Sequence, residues 1–503
     1  MQNHILDYLD DIVLKKPDKV AFANDTEEYT FSDVYKLSHS VGTYLYKEDY
    51  YKKPVLVFME KHPKTIIAFF GIIASGNFYV PIDSEMPESR INLIIENCNP
   101  DYIICDSTTI SKVDSFKFDG KKLLFDEISA TPADEAALKA IHDKALDVDP
   151  IYIVFTSGST GVPKGVVACH RSVIDYIEQL SEVLEFNEDT IFGNQTPLYF
   201  DACLKELYPT LKFGATTYII PHQLFSYPVK LVEFLNEKKI NTICWVVSAL
   251  TMISAFNTFE IVKPEHLTNI AFGSEVFPIK QYKLWRATLP ECRFTNLYGP
   301  TEGTGMCCYF KCEREIADDE PIPVGRPFKN TEILLLDENN KLSDTEGEIC
   351  IRGTSVTLGY YNNKEKTSES FVQNPLNDAY PEIIYRTGDI GRYNEYGELV
   401  FVSRKDYQIK HMGHRIELGE IEANVNLVDA VKMCGCIYDD NRDKIVLYYV
   451  GEIDRGPLMN ELKEKVPRYM LPNKMIQLES LPFTANGKID RKQLKENYKN
   501  GRN

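Results

Sequence analysis

The run Phe155-Thr156-Ser157-Gly158-Ser159-Thr160-Gly161-Val162-Pro163-Lys164-Gly165 gathers four hydroxyls, three glycines and one lysine into a single loop. It follows directly on the apolar stretch Ile151-Tyr152-Ile153-Val154-Phe155. A buried strand opening into such a loop makes a phosphate cradle, because glycines let backbone N–H groups approach an anion and hydroxyls add donors. The implied ligand is a nucleotide or another phosphate ester. A Walker A loop is a different object: its lysine directly follows a glycine and leads into a helix. Here Lys164 follows Pro163, and Gly165-Val166-Val167 reads as a second strand. Ser/Gly/Thr clusters between strands are otherwise ordinary turns, so the meaning of this loop depends on its companions.

Five further blocks accompany it: Phe200-Asp201-Ala202, Asn296-Leu297-Tyr298-Gly299-Pro300-Thr301-Glu302, Tyr385-Arg386-Thr387-Gly388-Asp389, Arg404 through Glu422, and Thr484-Ala485-Asn486-Gly487-Lys488-Ile489-Asp490-Arg491. In order and spacing, from about residue 5 to about residue 495, the set resembles the adenylate-forming superfamily and, within it, amino-acid adenylation domains.

That resemblance implies two half-reactions, with ATP and Mg²⁺ as cofactors. A carboxylate attacks the α-phosphate of ATP and pyrophosphate leaves; the acyl group then passes to the phosphopantetheine thiol of a separate carrier protein. Thr156, Ser157, Gly158, Ser159, Thr160, Gly161 and Lys164 would hold the β- and γ-phosphates. Glu302 would bind the metal, a hard ion that takes carboxylate oxygens. Thr301 would contact the α-phosphate, and Tyr298 would stack on adenine with Asn296 and Gly299 beside it. Asp389 resembles the acceptor for both ribose hydroxyls, and Arg404 would add a ribose or phosphate contact. Lys488 would bridge the attacking carboxylate and the α-phosphate, since one ammonium there offsets the developing charge. Asp406 stands at the expected hinge, with Ser403 where the family commonly has glycine. Rotation about it would withdraw Lys488 and bring up the strand Lys410-His411-Met412-Gly413.

Asp201 bears on the acid activated. A carboxylate inside an acyl pocket is costly without a partner, and a substrate ammonium is the natural partner, so the expected substrate is an amino acid. By motif alignment Phe200, Ala202, Lys205, Cys244, Ile270, Phe272, Leu297, Gly305 and Met306 surround its side chain. Phe272 is large for its place and implies a short pocket. Lys205 either meets a substrate carboxylate or snorkels outward beside Glu206. A small or an acidic amino acid fits these readings. Leu207-Tyr208-Pro209 and Thr484 through Lys492 look like D-alanine–carrier protein ligases, from which Lys205 and Phe272 depart. An acyl- or aryl-CoA ligase on the same fold is the rival, disfavoured by Asp201. A silent binding protein would not need Lys488, Glu302 and Asp389 together, and a P-loop phosphotransferase does not match Pro163-Lys164.

The elements that must position these residues alternate along the chain. Val55–Phe58, Tyr102–Cys105, Thr217–Ile220 and Thr242–Val247 read as strands, with helices between them, including Thr65–Ala74 and one starting near Phe31 with Ser32 as N-cap. Such alternation predicts an α/β class with a mostly parallel sheet. Beyond about residue 321, Glu332–Leu336 and Gly347–Gly353 suggest a small β-barrel or sheet, and the last hundred residues a small mobile α+β domain with a strand at Ile445–Val450 and a helix at Met459–Lys465. The expected division is a core at 1–402, a hinge at 403–407 and a lid carrying the catalytic lysine at 408–503. At 503 residues more than one domain is expected.

No apolar run approaches the ~20 residues that span a bilayer, and Met1-Gln2-Asn3-His4 lacks the character of a signal peptide. These point to the cytoplasm and no membrane partner. A net charge of −18 argues against nucleic acid. Lys463, Lys465, Arg468, Lys474, Lys488, Arg491 and Lys492 would offer an acidic carrier a local basic patch, or form a solvated face. The twelve cysteines lack the paired spacing of a zinc site, Cys307-Cys308 and Cys434-Gly435-Cys436 included. They read as reduced, buried small residues. With no carrier segment before Asn503, the chain reads as free-standing.

Overall fold

The computed structural model describes residues 2–158, 161–405, 408–483 and 489–501. Ser159, Thr160, Asp406 and Lys488 therefore lie outside the described residues.

Short apolar runs bounded by turns become buried parallel strands. Lys121–Leu124, Tyr102–Cys105, Pro54–Phe58, Phe78–Pro81, Pro150–Thr156 and Lys164–Cys169 lie in that order in a six-stranded sheet. All its pairs are parallel except the last, in which Thr156 opposes Lys164. The phosphate loop is thus the connection of an antiparallel hairpin on a parallel sheet, and its lysine opens a strand rather than a helix.

A nine-stranded sheet carries the strand of the Asn296–Glu302 motif. Its centre is parallel: Arg293–Tyr298, Asn269–Gly273, Thr242–Val246, Ile191–Asn194 and Thr216–Ile219. Strand alternation divides its side chains between two cores. Cys244, Ala271 and Leu297 join the core under helices His170–Leu184 and Leu204–Phe213. Ile243, Trp245, Ile270 and Phe272 join the core under helices Val247–Ala255 and Ile279–Thr288.

Three expectations change. Helix Phe31–Lys47 is capped by Thr30, which forms a capping box with Asp33; Ser32 is already inside the helix. The region beyond 321 does not close into a barrel. Thr331–Leu336, Glu346–Gly353 and the long strand Ile383–Tyr393 pair in turn, and the far edge of that strand is shared by Phe371–Gln373 and Leu399–Arg404. The result is an open five-stranded sheet. The late helix runs Arg455–Lys463, starting ahead of Met459.

From 408 onward, a two-stranded hairpin (Gln408–His411 with His414–Glu417) leads into helix Leu418–Asn426. A three-stranded sheet follows: Val431–Asp439, Lys444–Gly451 and Lys474–Gln477. Helices Arg455–Lys463 and Arg491–Lys499 complete an α+β unit. Its two apolar clusters draw on residues from Ile409 to Tyr498. Part of the basic run is used within it: Arg491 pairs with Glu422, and the Lys474 ammonium lies 5.0 Å from the Tyr498 ring. All twelve cysteines are free and buried. Among the described residues no helix is long and apolar enough to cross a membrane.

Candidate functional site

A cavity of about 1050 Å³ runs between the large sheets and the hairpin at 408–417. The first wall includes Thr156, Ser157, Phe200, Asp201, Ala202, Gly299, Thr301, Gly305, Met306, Asp389 and Arg404; the second includes Lys410 through Arg415. The hairpin turn explains why the second wall sits so close. Met412 and Gly413 both have positive φ, and a Cβ on Gly413 would lie 2.8 Å from Cγ1 of Val246. Glu275 clamps the turn by accepting from Gly413 N at 2.6 Å and from Ser248 N at 2.7 Å. His414 stacks on Tyr469 at 3.6 Å and meets Phe200 edge-on at 5.1 Å.

In the nucleotide half, Tyr298 and Asp389 come together from separate strands. The Tyr298 hydroxyl donates to Asp389 Oδ2 at 2.5 Å, and Arg404 donates to Asp389 Oδ1. The Lys410 ammonium lies 5.8 Å from the Tyr298 ring, its pKa lowered by burial against the pull of Asp389. Asn296 is buried and donates to the Pro323 carbonyl at 2.8 Å, so it braces the strand.

Of the groups expected to hold phosphates, Ser157, Gly158 and Lys164 already have partners, whereas the Thr156 hydroxyl is buried without one. Ser157 Oγ donates to the Arg415 carbonyl at 2.9 Å and accepts from Glu417 N at 3.2 Å. Gly158 N donates to Glu420 Oε2 at 3.1 Å. Lys164 stands 3.6 Å from Glu417 Oε1, and burial lowers its pKa. Glu302 is fully buried; Tyr360 donates to its Oε1 at 2.7 Å and Arg415 to its Oε2. Burial alone would raise this carboxyl, but the charges of Arg415 and Lys164 hold it at about 2. As an anionic oxygen donor Glu302 suits a hard cation. In this arrangement, with both oxygens engaged, it does not fit one. Motif reading gave no role to Arg415, Tyr360, Glu417 or Glu420. The acids and the arginine lie inside the block Arg404–Glu422, but local spacing says nothing of their partners across the cavity.

The acyl half looks different. Asp201 is 9% exposed and its Oδ2 has no hydrogen-bond partner. Burial raises its pKa, opposed by the Thr301 hydroxyl and the Lys205 ammonium. Lys205 is 3% exposed, which removes the snorkelling alternative. Glu206, on the same helix, is fully buried, accepts from Asn194 Nδ2 at 3.0 Å and leaves Oε1 unpartnered. Burial pushes Glu206 up to about 7 against the pull of Lys205. Lys61 donates to the Asn194 and Gln195 carbonyls, and burial brings it down to about 8. The hydroxyls of Tyr152 and Tyr176 are also buried without partners. Tyr176 covers Gly305: a Cβ there would lie 3.2 Å from its ring. Lys61, Tyr152 and Tyr176 carried no motif and were not anticipated.

Strand parity corrects the expected pocket. Ile270 and Phe272 point to the other face of the sheet, where the Phe272 ring packs 5.0 Å from Phe277 and 6.4 Å from Tyr282. Ala271 is the residue of that strand on the face of Cys244, Leu297 and Met306. A small side chain takes the place expected for a bulky one, so Phe272 does not shorten the pocket.

The AMP-binding enzyme family matches residues 9–361, and the chain belongs to that family. It is an enzyme of the adenylate-forming type, and family membership implies use of ATP. The chain is 32% identical to D-alanine–D-alanyl carrier protein ligase of Staphylococcus aureus, over 95% of this chain and 96% of that protein. It is 28% identical to tyrocidine synthase 1 of Brevibacillus parabrevis over 95% of its own length, but spans only 44% of that synthase. Among solved structures, an artificially fused adenylation–PCP di-domain from Klebsiella oxytoca shares the fold, with a TM-score of 0.81, 21% identity and 95% coverage of both chains.

Proposed function

We propose that this enzyme activates an amino acid as its aminoacyl-adenylate, releasing pyrophosphate, and passes the acyl group to the phosphopantetheine thiol of a carrier protein in trans. One observation carries the amino-acid reading: the buried Asp201 carboxylate at the cavity wall, with Oδ2 unpartnered. An α-ammonium supplies the missing donor and charge. The substrate carboxylate then faces Thr301, and the adenosine lies toward Tyr298, Asp389 and Arg404. Lys488 joins the carboxylate and α-phosphate in the first step. In the second, the carrier thiol loses its proton and attacks the acyl carbonyl, and AMP leaves with the bonding electrons. With Arg415 elsewhere, Glu302 would hold magnesium, which would supply positive charge to the phosphates. Asp406 serves as the hinge between the core and the lid.

The buried charges indicate the side chain. The substrate ammonium pairs with Asp201, which leaves the buried Lys205 as a cation at the side-chain end of the site. A side-chain carboxylate beside Lys205 would pair with it, which favours an acidic amino acid. Likeness to the D-alanine ligase supports a second reading, a small D-amino acid. ATP–pyrophosphate exchange across L- and D-amino acids and their amine-free analogues tests all three claims. The expected result is exchange with aspartate or glutamate, and none with the amine-free acids. In Lys205→Met the preference moves to neutral side chains by about tenfold or more, the usual worth of one pocket contact. Faster exchange with amine-free acids overturns the amino-acid reading.

A further inference from the structure

Three imidazoles meet outside the cavity, in residues that belong to none of the motif blocks. His4 lies between His142 and His170, with ring centroids 4.4 and 4.2 Å away. His4 and His170 are buried, while His142 and Asp7 are partly open to solvent. His142 Nε2 stands 2.8 Å from Asp7 Oδ1, and its Nδ1 stands 3.9 Å from Asp10 Oδ2. Asp7 Oδ2 accepts from the backbone N–H groups of Asn3 and His4, at 3.2 Å each, which holds the carboxylate with Oδ1 toward His142. A ring nitrogen of His4, one of His142 and a carboxylate oxygen of Asp7 all lie within 4.8 Å of one another. Leu6 N reaches His4 Nδ1 at 3.3 Å, longer than a good hydrogen bond, so that nitrogen is not firmly claimed. His170 is a brace rather than a member of the set: its Nδ1 accepts from Ile5 N at 3.1 Å.

We propose that His4, Asp7 and His142 form a zinc-binding site, completed by a water from the solvent side. Two imidazoles and one carboxylate are a donor set that zinc takes, whereas magnesium wants oxygen. Ligands of a tetrahedral zinc stand about 3.3 Å apart when its bonds are about 2.0–2.1 Å, so side-chain adjustments within the cluster suffice. The ion replaces the proton between His142 Nε2 and Asp7 Oδ1. That proton moves to His142 Nδ1, toward Asp10, an outer carboxylate of the kind that orients a metal-bound imidazole. The place of the site gives the ion its role. Asp7 begins helix Asp7–Lys15, and His142 ends helix Glu135–His142. Beyond His142 the chain is strapped to the start of helix His170–Leu184: Arg171 Nε donates to Asp147 at 2.8 Å, and His170 N to the Asp149 carbonyl at 3.2 Å. Pro150 then enters the phosphate-loop hairpin opposite Cys169, at the end remote from the loop. Zinc pins the first helix to the base of that hairpin, so it acts on stability and not on the reaction. The site is independent of the adenylation reading.

The test uses the full chain without a histidine tag, stripped with a chelator that is then removed. Zinc binding is followed by calorimetry and by the melting midpoint. Cobalt is added in parallel, because its visible bands report tetrahedral ligation. The expected result is about one zinc per chain. The midpoint should rise by about 2–3 °C at about a hundredfold excess over the dissociation constant. Amino-acid-dependent exchange in magnesium should be the same with and without zinc. His142→Gln and Asp7→Asn should each weaken zinc binding about tenfold or more, and Asp10→Asn about tenfold. His142 is half-buried at a helix end, so its replacement leaves the fold intact and decides the matter alone should Asp7→Asn fail to fold. Equal zinc affinity in the native and His142→Gln proteins would mean an adventitious ion only and overturns the proposal. No zinc binding, a cobalt spectrum without tetrahedral bands, or a midpoint indifferent to bound zinc overturns it too. Loss of exchange in the zinc-free protein would overturn the assignment of the ion to stability.

Discussion

The two halves of the cavity treat polar groups in opposite ways. Around the phosphate loop, Ser157, Gly158, Lys164 and Glu302 all have partners, supplied by the segment 415–420. Around Asp201, the Asp201, Glu206, Tyr152 and Tyr176 side chains each keep a buried oxygen without one. A buried polar atom left unpaired costs free energy comparable to a lost hydrogen bond, so the acyl half is built to receive a ligand. In the nucleotide half most of the expected donors are already taken, with Thr156 Oγ1 and Arg415 Nε left unpartnered, so a ligand enters there largely by displacement. One half therefore selects by what it lacks and the other by what it must give up.

Asp201→Asn is the strongest way to break this contrast. Removing one member of a buried charge pair costs about 3–5 kcal/mol. Amino-acid-dependent exchange should accordingly fall on the order of 10²-fold or more, while ATP binding measured by calorimetry stays within about threefold. A variant that exchanges as well as the parent would place the ammonium elsewhere. Gly413→Val probes the satisfied half. A Cβ so near Val246 on a backbone with positive φ adds strain of about 1–3 kcal/mol. Transfer to a carrier thiol should drop roughly ten- to a hundredfold, with pyrophosphate exchange nearly unchanged. Equal loss of both half-reactions would mean that seating the hairpin is not specific to transfer.

A smaller effect comes from Glu206. Its folded pKa of about 7 lies above the ordinary 4.5, so the folded state holds this proton more tightly than the unfolded chain. The stability it contributes is fully present below about pH 4.5 and is lost as the pH rises through 7. The slope is at most about 1.4 kcal/mol per pH unit. Denaturant midpoints between pH 4.5 and 7 should decline less steeply in Glu206→Gln than in the native chain. Parallel declines would show that this group titrates normally.

Much of this architecture was legible in the chain. The hairpin around the phosphate loop followed from an apolar run, glycines and a second apolar run. Tyr298 and Asp389, far apart in sequence, were brought to one site by motif. What was not legible depended on partners in space. Motif alignment puts Phe272 in the pocket, whereas its face is decided by register: Ile243, Ile270 and Phe294 align on one side, Cys244, Ala271 and Thr295 on the other. Arg415 lies among acids inside the block Arg404–Glu422, yet its partner is Glu302, in the short turn Thr301–Gly303 far away in sequence. The N-cap at Thr30 in place of Ser32 turned on whether Asp33 could reach back three residues, which spacing allowed but did not require. The barrel failed to close because one long strand, Ile383–Tyr393, serves two short neighbours in succession along the same edge.

The burial of the twelve thiols has a chemical consequence. Thiolate is the reactive form, and withdrawal from water suppresses it; Cys105, Cys292, Cys312, Cys350 and Cys434 are pushed up to about 12. The native protein should resist alkylation and peroxide at neutral pH, and an engineered surface cysteine should modify alone. Loss of that resistance on heating, counted as added mass per molecule, would report the order in which the separate cores open.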